Sequence, residues 1–148
     1  MICYLDSSAM VKRYLTEPGS PQFRHFIADA VALGSVAISR TEVVATFGKA
    51  VRVGAVSRDI AEAARQILQL DWRDFARIDI TEHLLDRASD LAWTYGLRGY
   101  DSVQLAAAVR WQEELDLPLT MATFDRSLWK AAARVGLDPY PPDLLEIR

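Results

Sequence analysis

Short apolar runs alternate along this chain with longer segments in which apolar residues recur every three or four positions. The first run, Ile2 to Leu5, contains only apolar or aromatic side chains and ends at Asp6. Runs of this kind are typical of strands that are buried on both faces of a parallel sheet. The predicted strands cover residues 2–5, 36–38, 75–80 and 119–122, with residues 137–140 as an additional edge strand.

Helical periodicity fills the segments between these strands. After Ser57, for example, Ile60, Ala64, Ile67 and Leu68 recur at the spacing of one helix face. Because strands and helices alternate, we expect an α/β fold with a mostly parallel sheet of four to five strands. The predicted helices cover residues 7–17, 20–33, 40–53, 57–74, 81–95, 102–115 and 126–135.

Acidic residues stand where several of these helices begin. Asp6 and Asp125 each follow an apolar strand directly, and Glu42 lies in the first turn of the helix after the second strand. Ligands of an open parallel sheet bind at the carboxyl ends of its strands, so these three side chains are expected at one edge. Asp101 has no strand before it, and spacing alone does not bring it to that edge. Carboxylates gathered there would repel one another unless a hard cation such as Mg²⁺ or Mn²⁺ neutralised them.

Each acid also has a purely structural interpretation. Asp is a preferred N-cap residue, so Asp6, Asp101 and Asp125 could each cap the helix that follows. Ser39 and Glu42 have the spacing of a capping box, which is the favoured interpretation of Glu42 taken alone.

Composition limits the class of protein without selecting a function. The chain has 148 residues, of which 51% are hydrophobic and 25% charged, and we expect one domain over residues 1–148. No run approaches the roughly 20 apolar residues that span a bilayer. The single cysteine, Cys3, excludes an internal disulfide and fits a reduced, cytoplasmic protein. The net charge of −3 means that any nucleic acid must be held by a local basic rim or by a metal.

Four segments taken in order resemble the PIN-domain ribonucleases, and most closely the VapC toxins of bacterial and archaeal VapBC toxin–antitoxin pairs. The resemblance extends over essentially the whole chain, and its most specific element is Arg-Gly-Tyr-Asp at residues 98–101. The other three segments are Tyr-Leu-Asp-Ser-Ser-Ala at residues 4–9, Ser-Arg-Thr-Glu-Val at residues 39–43 and Thr-Phe-Asp-Arg-Ser-Leu at residues 123–128.

This resemblance implies a PIN-like three-layer α/β/α sandwich and metal-dependent hydrolysis of RNA. Asp6 and Asp101 would be the principal ligands of Mg²⁺ or Mn²⁺, while Glu42, directly or through water, and Asp125 would support them. Thr123 matches a polar position that orients the site, and Ser7 would supply a neighbouring hydroxyl or a cap. The resemblance further implies a cognate VapB-type antitoxin and a homodimer.

Other functions remain open from the residues alone. A housekeeping PIN-domain nuclease would share the same acids, and a non-catalytic acidic module would use the pocket only to receive a partner's arginine. A ribonuclease with two catalytic histidines would have to use His25 and His83, which lie within amphipathic helical patterns. Candidates for an RNA-binding basic rim are Lys12, Arg13, Arg40, Lys49, Arg52 and Arg98.

Overall fold

The structure, a computed structural model, describes residues 1–147 and contains five strands. The predicted domain 1–148 includes residue 148, which lies outside the described residues. All neighbouring strands run parallel, in the order β3-β2-β1-β4-β5. The strands are β1 (Ile2–Leu5), β2 (Ala32–Val36), β3 (Ala76–Ile78), β4 (Thr120–Ala122) and β5 (Asp138–Tyr140).

The central strand β1 determines where the first predicted acid lies. Cys3 of β1 is in register with Leu33 on one side and with Thr120 on the other. Cys3, Tyr4 and Leu5 are completely buried, as expected for a strand covered on both faces. β2 and β3 lie on one side of β1, and β4 and β5 lie on the other. The carboxyl ends of β1 and β4 therefore meet where the strand order reverses, which is the usual place of a ligand site in such sheets.

Helices cover both faces of the sheet and give the expected α/β/α sandwich. One apolar core joins the sheet to the last three helices through residues such as Leu84, Leu105 and Leu128, and the other joins it to the first four. None of the helices in the described part of the chain could span a membrane. The helices are α1 (Ser7–Tyr14), α2 (Ser20–Ile27), α3 (Ser39–Arg52), α4 (Arg58–Asp71), α5 (Glu82–Tyr95), α6 (Gly99–Leu115) and α7 (Arg126–Arg134).

The boundaries predicted around Gly34 are wrong. The second helix was expected to continue to residue 33 and the second strand to cover residues 36–38, but α2 ends at Ile27 and β2 is Ala32–Val36. Gly34 therefore lies in the middle of a strand. A Cβ atom built on Gly34 would lie 2.6 Å from a ring carbon of Trp111. The missing side chain lets α6 pack closely on the sheet, and it does not end a helix.

Candidate active site

Asp6 is fixed at the carboxyl end of β1 by hydrogen bonds of its backbone N–H and of both carboxylate oxygens. Its backbone N–H donates to the carbonyl of Ala122 at 3.1 Å, which continues the pairing between β1 and β4. Its Oδ1 accepts from the backbone N–H of Ala9 at 2.8 Å and from the hydroxyl of Ser8 at 2.7 Å. Its Oδ2 accepts from the hydroxyl of Thr123 at 2.5 Å. The carboxylate thus caps α1, as the sequence predicted, and is held rigidly by the next strand.

Burial makes the negative charge of Asp6 unfavourable. Only 4% of the residue is exposed, and burial raises the pKa of its carboxyl to about 6. The donors Ser8, Thr123 and Ala9 lower that pKa, while the charge of Asp101 raises it further. An ionised Asp6 would therefore be stabilised by a cation that approaches from the side facing Asp101.

Two further acids lie across a cleft from Asp6. Asp101 belongs to the first turn of α6, which begins at Gly99 and not at residue 102 as predicted, so Asp101 is not its N-cap. Asp125 does cap α7, since its Oδ1 accepts from the backbone N–H of Leu128 at 2.8 Å. Burial, followed by the charge of Asp125, raises the pKa of Asp101. The three carboxylates line one cleft of about 420 Å³.

Arg98 bridges two of these acids, an arrangement that the sequence analysis did not foresee. Its Nε donates to Asp101 Oδ2 at 3.3 Å, and its Nη2 lies 3.7 Å from Asp125 Oδ2. The Arg98 side chain is 82% exposed, in contrast to the 15% of Asp101. Its spacing of three residues before Asp101, at a helix start, is the sequence signal that could have indicated the pair.

Thr123 connects the carboxylates of Asp6 and Asp125 through one hydroxyl. This fully buried side chain donates to Asp6 and accepts from the backbone N–H of Asp125 at 3.1 Å. Its position suits the orienting role that the family resemblance implies.

Ser7 lies in the wall of the cleft and belongs to a buried polar network. Its hydroxyl is 2.5 Å from that of Tyr100, which accepts from Gln104 Nε2 at 2.7 Å. Gln104 is fully buried, and its Oε1 accepts from the hydroxyl of Tyr4 at 2.5 Å. Tyr100 and Gln104 both line the cleft and were not predicted as site residues. Tyr100 belongs to the Arg-Gly-Tyr-Asp element at residues 98–101, and Gln104 follows that element by three residues.

Glu42 is the predicted acid that the structure leaves outside the cleft. It is exposed in the first turn of α3 and is absent from the cleft lining. It does influence the cleft, because burial first and then the charge of Glu42 raise the pKa of Tyr100. The capping-box interpretation is wrong: Ile38 occupies the N-cap position without a side-chain cap, and the Ser39 hydroxyl instead accepts from Gln104 at 2.9 Å.

Few of the candidate basic residues reach the cleft. Lys12 and Arg98 line it, and Lys12 pairs with Glu17 at 3.5 Å. Arg13 pairs with Asp71 at 3.0 Å, and the Arg40 guanidinium lies 5.9 Å from the ring centroid of Trp72. Arg40, Arg13, Lys49 and Arg52 are not among the cleft residues.

The acids do not form a complete protein cage for a metal. Within residues 1–147, no three His, Cys, Asp or Glu side chains are close enough to hold an ion as they stand. The two histidines are also separated from the cleft, since His25 belongs to α2 and His83 to α5, and neither lines it. What the cleft offers is a set of carboxylate oxygens around open space, with Arg98 as the nearest cation.

Comparisons with known proteins show the family of the chain and agree with its α/β/α fold. The PIN-domain family matches residues 3–134. Ribonuclease VapC45 of Mycobacterium tuberculosis is 31% identical over 147 residues, which cover 97% of each chain. The crystal structure of PAE2754 from Pyrobaculum aerophilum has a TM-score of 0.65 and 21% identity, covering 99% of this chain and 88% of the other. The crystal structure of VapBC2 from Rickettsia felis, bound to a DNA fragment from its promoter, has a TM-score of 0.63 and 14% identity. The match covers 95% of this chain and 99% of the other.

Proposed function

Since this chain belongs to the PIN-domain family, and within it to the VapC-type ribonucleases, we propose that it is a metal-dependent endoribonuclease that acts as the toxin of a toxin–antitoxin pair. The observation that carries the proposal is the convergence of Asp6, Asp101 and Asp125 on one cleft at the carboxyl edge of the sheet. Three acids that share a cleft repel one another, and a divalent cation relieves that repulsion.

The donor set suits Mg²⁺ or Mn²⁺. Both ions prefer oxygen ligands, and Mg²⁺ usually keeps several waters while binding one or two carboxylates and substrate phosphates. An incomplete protein cage is therefore compatible with this metal. Asp6 and Asp101 are the proposed principal ligands, with Asp125 beside them. The exposed position of Glu42 favours a contact through water over a direct one.

When bound, the metal would lower the pKa of an attacking water and polarise the scissile phosphate. The chain's own residues contribute positioning. Thr123 and Ala9 hold the Asp6 carboxylate in one orientation from opposite sides. The Gln104 amide fixes the Tyr100 hydroxyl, which with Ser7 forms a polar wall next to the acids. This mechanism needs no histidine, and neither His25 nor His83 lines the cleft.

The remaining parts of the proposal concern partners and location. By analogy with the VapC relatives, we expect a VapB-type antitoxin whose basic side chain could enter the acidic cleft, and a homodimer of this chain. An RNA substrate and a buried, reduced Cys3 both fit a cytoplasmic protein. Residues 1–148 are proposed to form one domain.

Cleavage of a mixed RNA pool tests the activity. Purified protein is assayed with Mn²⁺ or Mg²⁺, with EDTA, and as the variants Asp6→Asn and Asp101→Asn. Discrete fragments that disappear with EDTA and in both variants are expected. Cleavage that resists EDTA would overturn the metal mechanism. A folded, antitoxin-free protein that binds Mn²⁺ but cleaves no RNA would instead favour the acidic binding module.

The toxin role needs a separate test, because a housekeeping PIN-domain nuclease would give the same cleavage. Expression of the chain alone should arrest growth, and expression of Asp6→Asn should not. Coexpression with the proposed VapB-type antitoxin should restore growth. Growth unaffected by the active nuclease would favour the housekeeping alternative.

A further inference from the structure

The Arg98 guanidinium lies between the carboxylates of Asp101 and Asp125. It touches Asp101 Oδ2 at 3.3 Å and reaches to 3.7 Å from Asp125 Oδ2. Both contacts engage carboxylate oxygens of acids that are proposed to hold the metal. The chain therefore carries its own counter-ion in the acidic cleft.

This counter-ion is held weakly. The Arg98 side chain is 82% exposed, and ion pairs of exposed side chains contribute little because water and salt screen them. Arg98 is the N-cap residue of α6, and its side chain makes no capping hydrogen bond. The guanidinium can leave the acids without breaking a helix hydrogen bond or a packed contact of the core.

An arginine released at this point would lie next to the substrate. The guanidinium matches the geometry of a phosphate group and can bind two of its oxygens at once. Lys12, the other basic residue of the cleft, is already committed, because its Nζ donates to the Pro18 carbonyl at 2.9 Å and pairs with Glu17. Arg98 is thus the more available cation for a phosphate.

We propose that Arg98 is an exchangeable counter-ion: it pairs with Asp101 and Asp125 in the metal-free protein, yields them to the divalent metal, and then binds a phosphate of the RNA substrate. This inference rests on the proposed function. Arg98 would bind first the two carboxylates and then a phosphate of the RNA. Metal binding and RNA binding would therefore depend on each other.

Metal binding without RNA tests the first half. Mn²⁺ alone is titrated by calorimetry into the wild-type protein, Arg98→Gln and Arg98→Lys. Arg110→Gln is the matched control. Arg110 lies in α6, carries the same charge as Arg98 and also pairs with an acid, Glu114, at 2.8 Å. It does not line the cleft. Arg98→Gln is expected to bind Mn²⁺ about three- to fivefold more tightly than the wild type, as suits a weak competing pair. Arg98→Lys and Arg110→Gln should stay within twofold of the wild type.

Steady-state cleavage at saturating Mn²⁺ tests the second half. Arg98→Gln should raise the KM for RNA by roughly tenfold while it binds the metal more tightly, a combination that general damage to the site would not produce. Unchanged or weaker Mn²⁺ binding by Arg98→Gln would overturn the exchange, and an unchanged KM would overturn the phosphate contact. If the wild type itself failed to bind Mn²⁺, the proposed metal function would fall and this inference with it.

Discussion

The hydroxyl of Thr123 donates to the Oδ2 of Asp6 at 2.5 Å and so joins the end of β4 to the end of β1. The Thr123 hydroxyl oxygen also accepts from the backbone N–H of Asp125 at 3.1 Å. One buried side chain therefore determines how two of the cleft acids face each other. Its removal should affect stability, the ionisation of Asp6 and catalysis together.

Replacing Thr123 with valine keeps the volume and removes the hydroxyl. Asp6 then loses a donor, and the Asp125 N–H loses an acceptor in a buried place. We expect a loss of roughly 2–3 kcal/mol in the free energy of unfolding, measured by urea denaturation without metal at pH 7, because the lost bond involves a charged group. The pKa of Asp6 should also rise, since Thr123 lowers it.

Thr41→Val is the matched control for this variant. Thr41 is exposed on α3, and its loss of a hydroxyl should change the free energy of unfolding by less than about 0.5 kcal/mol. Equal effects of the two substitutions would show that the Thr123 hydroxyl has no special role.

Asp6→Asn should make the metal-free protein more stable at neutral pH. Burial raises the pKa of Asp6 from 3.8 to about 6. Between these values the native state binds more protons than the unfolded state, so stability falls as the pH rises through this window. The full cost, roughly 3 kcal/mol, is present above about pH 6. Asn can still cap α1, so the substitution removes the charge without removing the cap.

Urea unfolding between pH 4 and pH 7.5 in EDTA measures this effect. The wild type should lose stability over that range relative to Asp6→Asn, and the difference should disappear near pH 4. Saturating Mn²⁺ should reverse the order at pH 7, because only the wild type retains the ligand. A variant that is less stable than the wild type at pH 7 in EDTA would contradict the raised pKa of Asp6.

Glu42→Gln should impair cleavage less than Asp101→Asn does. Glu42 is exposed and outside the cleft lining, whereas Asp101 is part of it. Loss of a group that acts on a metal through another ligand reduces activity by roughly 10–100-fold. We expect Glu42→Gln to lower kcat/KM at saturating Mn²⁺ by roughly 10–100-fold. Asp101→Asn should lower it to the background rate. Equal, complete losses would indicate that Glu42 moves in to bind the metal directly.

Gly34→Ala should destabilise the fold through a clash in the core. The added Cβ would lie 2.6 Å from the Trp111 ring, and this ring is buried and cannot move away freely. Overpacking of this kind costs roughly 1–3 kcal/mol. The double variant Gly34→Ala with Trp111→Leu tests the cause, since the smaller side chain removes the clash.

Thermal denaturation measures the effect of Gly34→Ala in two backgrounds. The substitution should lower the Tm by more when it is made in the wild type than when it is made in the Trp111→Leu variant. Additive effects would mean that Gly34 is required for another reason, such as the conformation of β2 itself.

The sequence predicted the architecture because the relevant signals are local. Apolar runs and helical periodicity predicted the number and order of the five strands and seven helices that residues 1–147 form, although the second strand was placed too late in the chain. The preference of Asp for N-caps correctly indicated Asp6 and Asp125 but not Asp101. The boundaries predicted near Gly34 are wrong because glycine occurs both where a helix ends and where a neighbouring side chain packs closely against the backbone. Only the position of Trp111, which is 77 residues further along the chain, distinguishes them.

The site was predicted less completely, for a similar reason. Acids next to strands could be assigned to the sheet edge, but Asp101 needed the family resemblance because no strand precedes it. Glu42 looks equivalent to the other acids in sequence, yet the helical start at Ser39 leaves it outside the cleft. The Tyr100–Gln104 network was missed because buried amides and hydroxyls have no periodic signature. Its members become recognisable only when α6 is packed against β1.

The central position of β1 has a consequence for the synthesis of the protein. Asp6 is synthesised well before its partners, because β4 begins only at Thr120, and Thr123 lies 117 residues after Asp6. A chain released before that point has no strand on one side of β1 and no partner for Asp6 Oδ2. The acidic cleft can therefore form only after residues 120–125 have been synthesised and have reached β1.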